Sequence, residues 1–353
     1  MCQQNCCGQG DFMKLHHLGG LFACLLLLSS GPARAATHGS HAETYGIVES
    51  VFLQRDNDVG EQPLATTSGG ATLISAHQPQ YTVQPGLRLF YGSIDECDTG
   101  WEAGYLGVWS MFADTEVTGT GIQAPEPFPN LPNAQGFENR TTARAAYLST
   151  LNSVESSVIW RSCDGGPSSH AALPWQRCSS YRHGTFDWLV GFRWVGLDDT
   201  ATMSYSGGTI PVPSTYSVQT ASNIFGVQLG RRGRMEWDNW ALEGWAKVVL
   251  GGAYLSQSQD PILDVITPDP VIRGGRTRRD GEVGFVGDLN CSLVRRVTDD
   301  VSIRVGYNLI WLSGVAPAPD QFDFSTTTSS GTGLDPGGNV FLHGANFGLE
   351  RRW

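Results

Sequence analysis

The stretch VFLHGANFGLERRW, residues 340–353 at the C-terminus, decides the fold of this chain. Its residues alternate with a period of two, which indicates a β-strand with two different faces. In the closing strand of a transmembrane β-barrel, the apolar face meets lipid, with an aromatic residue at the membrane edge, and the polar face meets the lumen. The last strand of a soluble β-sandwich has the same period and is the alternative interpretation. The mainly apolar face carries Phe341, His343, Ala345, Phe347, Leu349, Arg351 and Trp353, and the other carries Gly344, Asn346, Gly348, Glu350 and Arg352.

The same alternation recurs along the chain in segments of about ten to fifteen residues. We therefore predict an all-β fold, an antiparallel transmembrane β-barrel of about ten strands, with roughly 8 to 14 as the range. The alternative, a secreted soluble β-sandwich binding module, predicts that the outward Trp and Tyr side chains are buried in a core. The predicted strands are 45–55, 81–91, 101–113, 143–160, 186–197, 218–230, 240–252, 282–293, 301–312 and 340–353.

Connection lengths give a second test, because barrels of this class alternate short periplasmic turns with long outer loops. Short links are expected at 93–100, 231–239 and 294–300, and long ones at 56–80, 114–142, 198–217, 253–281 and 313–339. This parity places both termini on the periplasmic side. The exception is 161–185, a long link where a turn is due; either it is a disulfide-closed excursion or strands are miscounted there.

Composition agrees with a barrel and excludes some partners. Only 16% of the 353 residues are charged, whereas the chain has 44 Gly and 11 Trp. Glycine and aromatic residues suit barrel interiors and interfacial girdles. The net charge is −11, and Lys occurs only at Lys14 and Lys247. Because phosphate binding needs clustered cations, we expect no nucleic-acid partner.

The N-terminus predicts export. Residues 13–35 read as a signal peptide, with a basic start, an apolar run and an Ala33-Arg34-Ala35 cleavage site. Residues 1–12 are then an upstream extension of the leader, and 36–353 form a single outer-membrane barrel domain. Export permits disulfides, and Cys163 with Cys178 is the preferred local pair. Cys97 and Cys291 are either free or joined across the fold.

Charged residues on the polar faces are candidates for the lumen. In a wide barrel they would line a pore, and in a narrow one they would pair as a polar plug. About ten strands is near the narrow end of the range, so a filled interior is at least as well supported as an open channel. These candidates are Arg88, Glu102, Arg193, Glu243, Lys247, Glu282, Asp288, Arg304 and Glu350.

Four segments resemble a family of porin-like outer-membrane β-barrels from planctomycete bacteria: FLQRDNDVGEQPL (52–64), PGLRLFYG (85–92), GYNLIWLSGVAPAPDQ (306–321) and FLHGANFGLERRW (341–353). The resemblance spans nearly the whole mature chain. It implies a barrel embedded in outer-membrane lipid, without catalytic residues or a substrate to transfer. It also implies that the barrel assembly machinery reads the terminal strand, with Phe347, Leu349 and Trp353 as the signal.

Enzyme signatures are missing from the sequence. There is no G-x-S-x-G elbow, H-E-x-x-H or P-loop, and we predict no cofactor or metal. Three functional hypotheses remain: a structural or small-solute outer-membrane barrel, a soluble β-module, and a barrel hydrolase, for which nothing brings Ser, His and an acid together. The oligomeric state is open.

Overall fold

The computed structural model describes residues 43–163, 184–263, 265, 271–327, 330–331 and 333–353. The predicted leader, the 164–183 connection and Cys178 lie outside these residues, as does the side chain of Cys163. Among the described residues no helix is long and apolar enough to cross a membrane. The strands are β1 (Glu43–Arg55), β2 (Pro63–Thr67), β3 (Thr72–Ser75), β4 (Gln84–Ile94), β5 (Thr99–Gln123), β6 (Arg140–Cys163), β7 (Gly184–Ser206), β8 (Ser214–Trp237), β9 (Trp240–Gln259), β10 (Ile262–Leu263), β11 (Val271–Arg273), β12 (Arg276–Arg296), β13 (Val301–Val315) and β14 (Gly338–Arg352).

Ten of these strands form a closed antiparallel barrel, which confirms the predicted fold class and strand number. They are β1, β4 to β9 and β12 to β14, and each pairs with its neighbours along the chain. The first and last strands close the sheet, in a register that runs from Tyr45 opposite Arg352 to Arg55 opposite Leu342. Closure leaves the barrel no unpaired edge, so the backbone polar groups are satisfied within the wall.

The two ends of the barrel differ. At what we call the turn end lie both chain ends of the barrel, the end of β6, the start of β7 and the connections 95–98, 238–239 and 297–300. At the opposite loop end lie 56–83, 124–139, 207–213, 260–275 and 316–337. In their described parts, the loop-end connections hold β2, β3, β10, β11 and three short 3₁₀ helices, Phe128–Asn130, Ala134–Phe137 and Ala318–Gln321. The predicted long link at 198–217 is wrong, because β7 and β8 extend into it.

Several strands are longer than predicted, and the loop-end halves of β7 to β9 explain why. In β7 beyond Leu197, the inward Ala201, Met203 and Tyr205 are fully buried, whereas the outward residues between them are Thr and Ser. The period of two continues there, but the outward face is polar, so the sheet extends past a lipid-facing band. One strand starts later than predicted. The predicted start at Tyr81 is wrong, because Tyr81 lies in the loop before β4 and is buried.

A β-bulge in β5 reverses which residues face outward. The pairing with β6 shifts between Val108 and Met111, and Ser110 has a positive φ of 60°. Before the bulge, Trp101 and Trp109 face outward, and after it Met111 is fully buried while Phe112 is exposed. The predicted strand 101–113 therefore contains a reversal of its two faces, since an extra residue flips the alternation.

The outer wall is apolar and exposed. Trp101, Tyr307 and Trp311 are 47%, 48% and 48% exposed, respectively. The soluble β-sandwich hypothesis required such side chains to lie in a core, and that expectation is wrong. The buried side chains are the inward ones, apolar in the loop-end half and largely charged in the turn-end half.

Candidate functional site

Arg304 holds three carboxylates together inside the barrel, in its turn-end half. Its Nε lies 3.0 Å from Oε1 of Glu49, its Nη2 3.0 Å from Oε1 of Glu243, and its Nη1 2.5 Å from Oε2 of Glu350. All four side chains are buried. The alternation of β13 points Arg304 inward, and the fixed fork of a guanidinium can serve several carboxylates at once.

From the cluster around Arg304, further ion pairs extend to the turn end. Arg234 donates to Glu243 at 2.9 Å and to Glu350 at 2.8 Å. Arg352 pairs with Glu350 and with Glu43. Because Glu43 in turn accepts from Arg161 at 2.9 Å, the network reaches β6.

The same network fills the middle of the barrel. Lys247 Nζ lies 2.9 Å from Glu155 and 3.3 Å from Glu102. Arg232 donates to Glu102 at 2.6 Å and to Asp187 at 2.8 Å. Asp187 also accepts from Arg161 at 3.2 Å, which joins this part to the turn-end part. The charges therefore form one connected set across the lumen.

Among the described residues, two further ion pairs are not connected to this set of charges. Arg193 pairs with Asp288 at 2.8 Å, and the Trp245 indole N–H donates to the same carboxylate at 3.1 Å. Nearer the loop end, Arg55 pairs with Asp199 at 2.7 Å. Both pairs are buried, and a buried charge is tolerated when it is paired and hydrogen-bonded.

Charges of the two signs are equal in number. Among the described residues, every one of the ten barrel strands contributes to what we call the ionic network, counting the two separate pairs. The ionic network itself is therefore electrically neutral. It comprises nine cations, Arg55, Arg88, Arg161, Arg193, Arg232, Arg234, Lys247, Arg304 and Arg352, and nine anions, Glu43, Glu49, Glu102, Glu155, Asp187, Asp199, Glu243, Asp288 and Glu350.

Three amides complete the polar interior. Asn290 donates to Asn308 at 2.7 Å, and Asn308 donates to Asn346 at 3.0 Å. Asn308 also accepts from Arg88, and Asn346 donates to Glu49 at 3.0 Å. The amides thereby connect Arg88 to the carboxylate that Arg304 holds.

The structure places eight of the nine predicted lumen residues inside the barrel, all buried. Glu282 differs: it is exposed, like the rest of residues 276–283, because that part of β12 rises past the barrel rim. Sequence reasoning did not list Glu49, Glu155, Arg232 and Arg234 as lumen residues, although strand parity contains the signal. Arg232 and Arg234, for example, share the parity of the inward Gln228.

The loop end is closed by apolar side chains from the loops, which we call the loop-end plug. They pack against inward barrel residues such as Val51, Met203 and Leu312 in one buried cluster. Phe128 and Tyr216 stack with ring centroids 6.2 Å apart, and Tyr205 O–H donates to the Leu64 carbonyl. The plug consists of Leu64, Tyr81, Phe128, Phe137, Phe322 and Phe324.

Hydrogen bonds hold the last loop onto this plug. Arg273 donates to the carbonyl oxygens of Asp323 and Ser325, both at 2.6 Å. Burial by itself would raise the pKa of the Asp323 carboxyl, but hydrogen bonds from Ser325 and Gly331 and the Arg273 charge together lower this pKa below its usual value. The charged carboxylate is thus the form that fits the folded loop.

The turn end is more open. A cavity of about 380 Å³, which we call the vestibule, is lined by residues of both signs, including Arg161, Arg234, Asp299 and Asp300. Above it, the gap beside Phe90, Trp245 and Lys247 is too narrow for a water molecule. No group of three His, Cys, Asp or Glu side chains within the described part of the chain could hold a metal ion.

Comparison with known proteins identifies the family. The model of the family described as "Putative beta barrel porin-7 (BBP7)" matches residues 66–353, most of the chain. The chain belongs to this family. Family and fold together make this BBP7 member a porin-like β-barrel protein.

Solved structures similar to this BBP7 barrel are outer-membrane proteins and channels. A major outer membrane protein from Thermus thermophilus is 10% identical, with 89% of this chain and 100% of that chain covered and a TM-score of 0.30. The TodX monoaromatic hydrocarbon channel deltaS2 mutant is 8% identical (89% and 90%, TM-score 0.26), and a Pseudomonas aeruginosa FadL homologue 7% (88% and 89%, TM-score 0.23). No curated protein matches the chain.

Proposed function

We propose that this protein is an outer-membrane barrel whose interior is closed, so that its role in the observed state is structural. The observation that carries the proposal is the filled lumen, with most of the ionic network in the turn-end half and the loop-end plug above it. A pore needs a continuous polar path, and here the gap beside Phe90 and Lys247 is too narrow for water while apolar side chains close the loop end.

The test is conductance. The mature chain, residues 36–353, would be folded in detergent, checked by the gel mobility shift between unboiled and boiled samples, and inserted into planar bilayers. We expect the mobility shift without a steady current. A stable ohmic current from the folded protein would contradict the closed state, and absence of the mobility shift would contradict the barrel itself.

Passage of small solutes is the second candidate, and the vestibule favours it because a polar chamber of about 380 Å³ opens at the turn end. Under this proposal the loop-end plug moves to open a path. A Phe128→Ser variant, which loosens the plug, should then show intermittent currents. For a purely structural barrel the variant stays silent.

The cellular setting is part of the proposal. We propose that the protein is exported through the signal peptide 13–35 and forms the Cys163–Cys178 disulfide. Its partners are outer-membrane lipid and the barrel assembly machinery, with no nucleic acid and no catalysis. We further propose that it is related to the planctomycete members of the family. The resemblance of residues 306–321 and 341–353 supports the kinship. N-terminal sequencing of the exported chain should begin at Ala36, and a non-reduced digest should hold Cys163 and Cys178 in one peptide pair.

A further inference from the structure

A groove of about 390 Å³ crosses the outer wall near the turn end of β8 and β9. Its floor lacks side chains, because Gly233 and Gly244 lie directly opposite each other on the two strands. Phe186, Met235 and Leu242 stand around it. The groove is thus an apolar recess in the outer wall.

Arg231 is the one charged side chain that lines this groove among the described residues. Its guanidinium lies over the rings of Phe186, at 4.9 Å from the centroid, and Trp188, at 5.3 Å. In the strand register Trp188 is opposite Arg231, and Phe186 is opposite Gly233, one row nearer the turn end. The Arg231 side chain therefore extends along the wall toward the membrane surface and ends beside the groove.

The two ring contacts of Arg231 are cation–π contacts, which do not neutralise its charge. Arg231 is exposed, and within the described part of the chain no carboxylate forms an ion pair with it. Stacking on aromatic rings engages the face of a guanidinium and leaves its N–H edge free. That edge suits a phosphate, which accepts two parallel hydrogen bonds from it.

We propose that the groove binds one phospholipid of the leaflet at the turn end. An acyl chain lies on the Gly233–Gly244 floor, and the phosphate accepts hydrogen bonds from Arg231. The inference rests on the proposed outer-membrane location. The charge of Arg231 complements that of a phosphate, which supports this occupant. The depth of the groove in the membrane supports it as well, because β8 ends at Trp237 and β9 begins at Trp240, two exposed aromatic residues of the kind found at the headgroup level.

The test is native mass spectrometry of the detergent-folded mature chain, titrated with dioleoyl phosphatidylglycerol. We expect one lipid retained per barrel. Arg231→Gln removes the charge, and Gly233→Leu fills the groove; each should weaken retention by about tenfold or more, as expected when a charge-assisted contact is lost. The added Cβ at Gly233 meets the edge of the Phe186 ring, at 3.0 and 3.2 Å, so this ring has to shift by a few tenths of an ångström, and the gel shift checks that the variant folds.

Arg295→Gln is the matched control, because Arg295 also lies over an aromatic ring, 5.2 Å from that of Trp240, but does not line the groove. It should retain the lipid like the wild type. Dioleoylglycerol, which has the same acyl chains without the phosphate, should not be retained by the wild-type barrel. Equal retention by all three variants, or a two-chain species in place of the lipid adduct, would overturn the inference. The unboiled gel shift is measured for each protein, so a failure of the barrel itself is distinguished from a failure of the groove.

Discussion

Arg304 and Glu49 meet across a glycine. Arg304 on β13 and Glu49 on β1 are both in register with Gly348 on the intervening β14, and their side chains join above it at 3.0 Å between Nε and Oε1. A Cβ at Gly348 would lie 2.4 Å from the Val48 carbonyl oxygen and 2.6 Å from Cγ of Glu49. The pair therefore depends on the absence of a side chain between them.

Gly348→Ala should consequently destabilise the barrel by about 1–3 kcal/mol, because the backbone of β1 has to shift and Glu49 leaves its place. Urea unfolding in detergent, followed by the gel mobility shift, measures the loss. Gly252→Ala is the control, since a Cβ there meets no atom within 4 Å. Equal stability of the two variants would refute the close-approach explanation.

Arg304→Met removes the central cation and leaves Glu49, Glu243 and Glu350 crowded in the interior. We expect a loss of about 3–5 kcal/mol in the free energy of unfolding, as for one partner deleted from a buried ion pair. The exposed pair of Arg144 and Asp114, 2.8 Å apart, offers the comparison. Arg144→Met should change stability by only about 0–1 kcal/mol. A similar small loss at Arg304 would mean that the network relaxes around the gap.

Val227→Arg tests where the lipid lies. Val227 is 65% exposed on the outward face of β8, and Gln219 lies on the same face of the same strand, toward the loop end. Arginine at Val227 should cost about 2–4 kcal/mol in a bilayer, whereas Gln219→Arg should be nearly neutral. Folding into lipid vesicles of both variants gives the difference. Equal costs would place the membrane band elsewhere.

Asp320→Asn tests a titration at the loop end. Asp320 accepts a hydrogen bond from the Gly60 N–H at 2.9 Å, and burial raises the pKa of its carboxyl above the ordinary value. Since the folded state then binds the proton more tightly than the unfolded state, stability rises as the pH falls from neutral through the raised pKa. The asparagine keeps the acceptor without the charge.

The variant should therefore unfold at higher urea than the wild type at pH 7, and the two should converge as Asp320 becomes protonated in acid. Unfolding midpoints measured at a series of pH values decide this. A gap between the two proteins that does not depend on pH would rule out the carboxyl as the cause.

Deleting Trp353 should slow assembly. Trp353 exchanges two backbone hydrogen bonds with Thr44, at 3.0 and 2.9 Å, and its ring lies 6.2 Å from that of Tyr91. The residue thus helps to close the sheet where the last strand meets the first. The rate at which the heat-modifiable form appears is the measurement, and Trp237→Ala, an exposed turn-end aromatic away from the closing seam, is the control. Identical rates would show that the terminus has no special part.

Sequence alternation predicted the strands that cross the lipid, because there the outward face is apolar and the inward face polar. The predicted strand 301–312 became β13, Val301–Val315, with the expected faces. The prediction from alternation failed where the outer wall passes from lipid into water. Past the lipid band the outward residues are polar, and at Ser110 one extra residue reverses the faces of β5.

The candidate site was predicted only as a set of inward charges. Parity indicates that Glu243 and Arg304 face the lumen, but it does not indicate which partner each takes across the barrel. Arg304 and Glu49 are 255 residues apart, and their contact depends on strand order, on the register of three strands and on Gly348. The loop-end plug was missed because loops carry no period from which an inward face can be predicted.

The ionic network takes charged side chains from all ten strands, so these charges are fully paired only when the barrel is closed. Arg304 finds Glu49 only after β14 has joined β1, so a chain that is one strand short has unpaired charges where the finished wall would bury them. Such an intermediate costs far more in lipid than in water, because no solvent there compensates the charges. We therefore expect the sheet to become stable in the membrane only once the last strand has paired with the first.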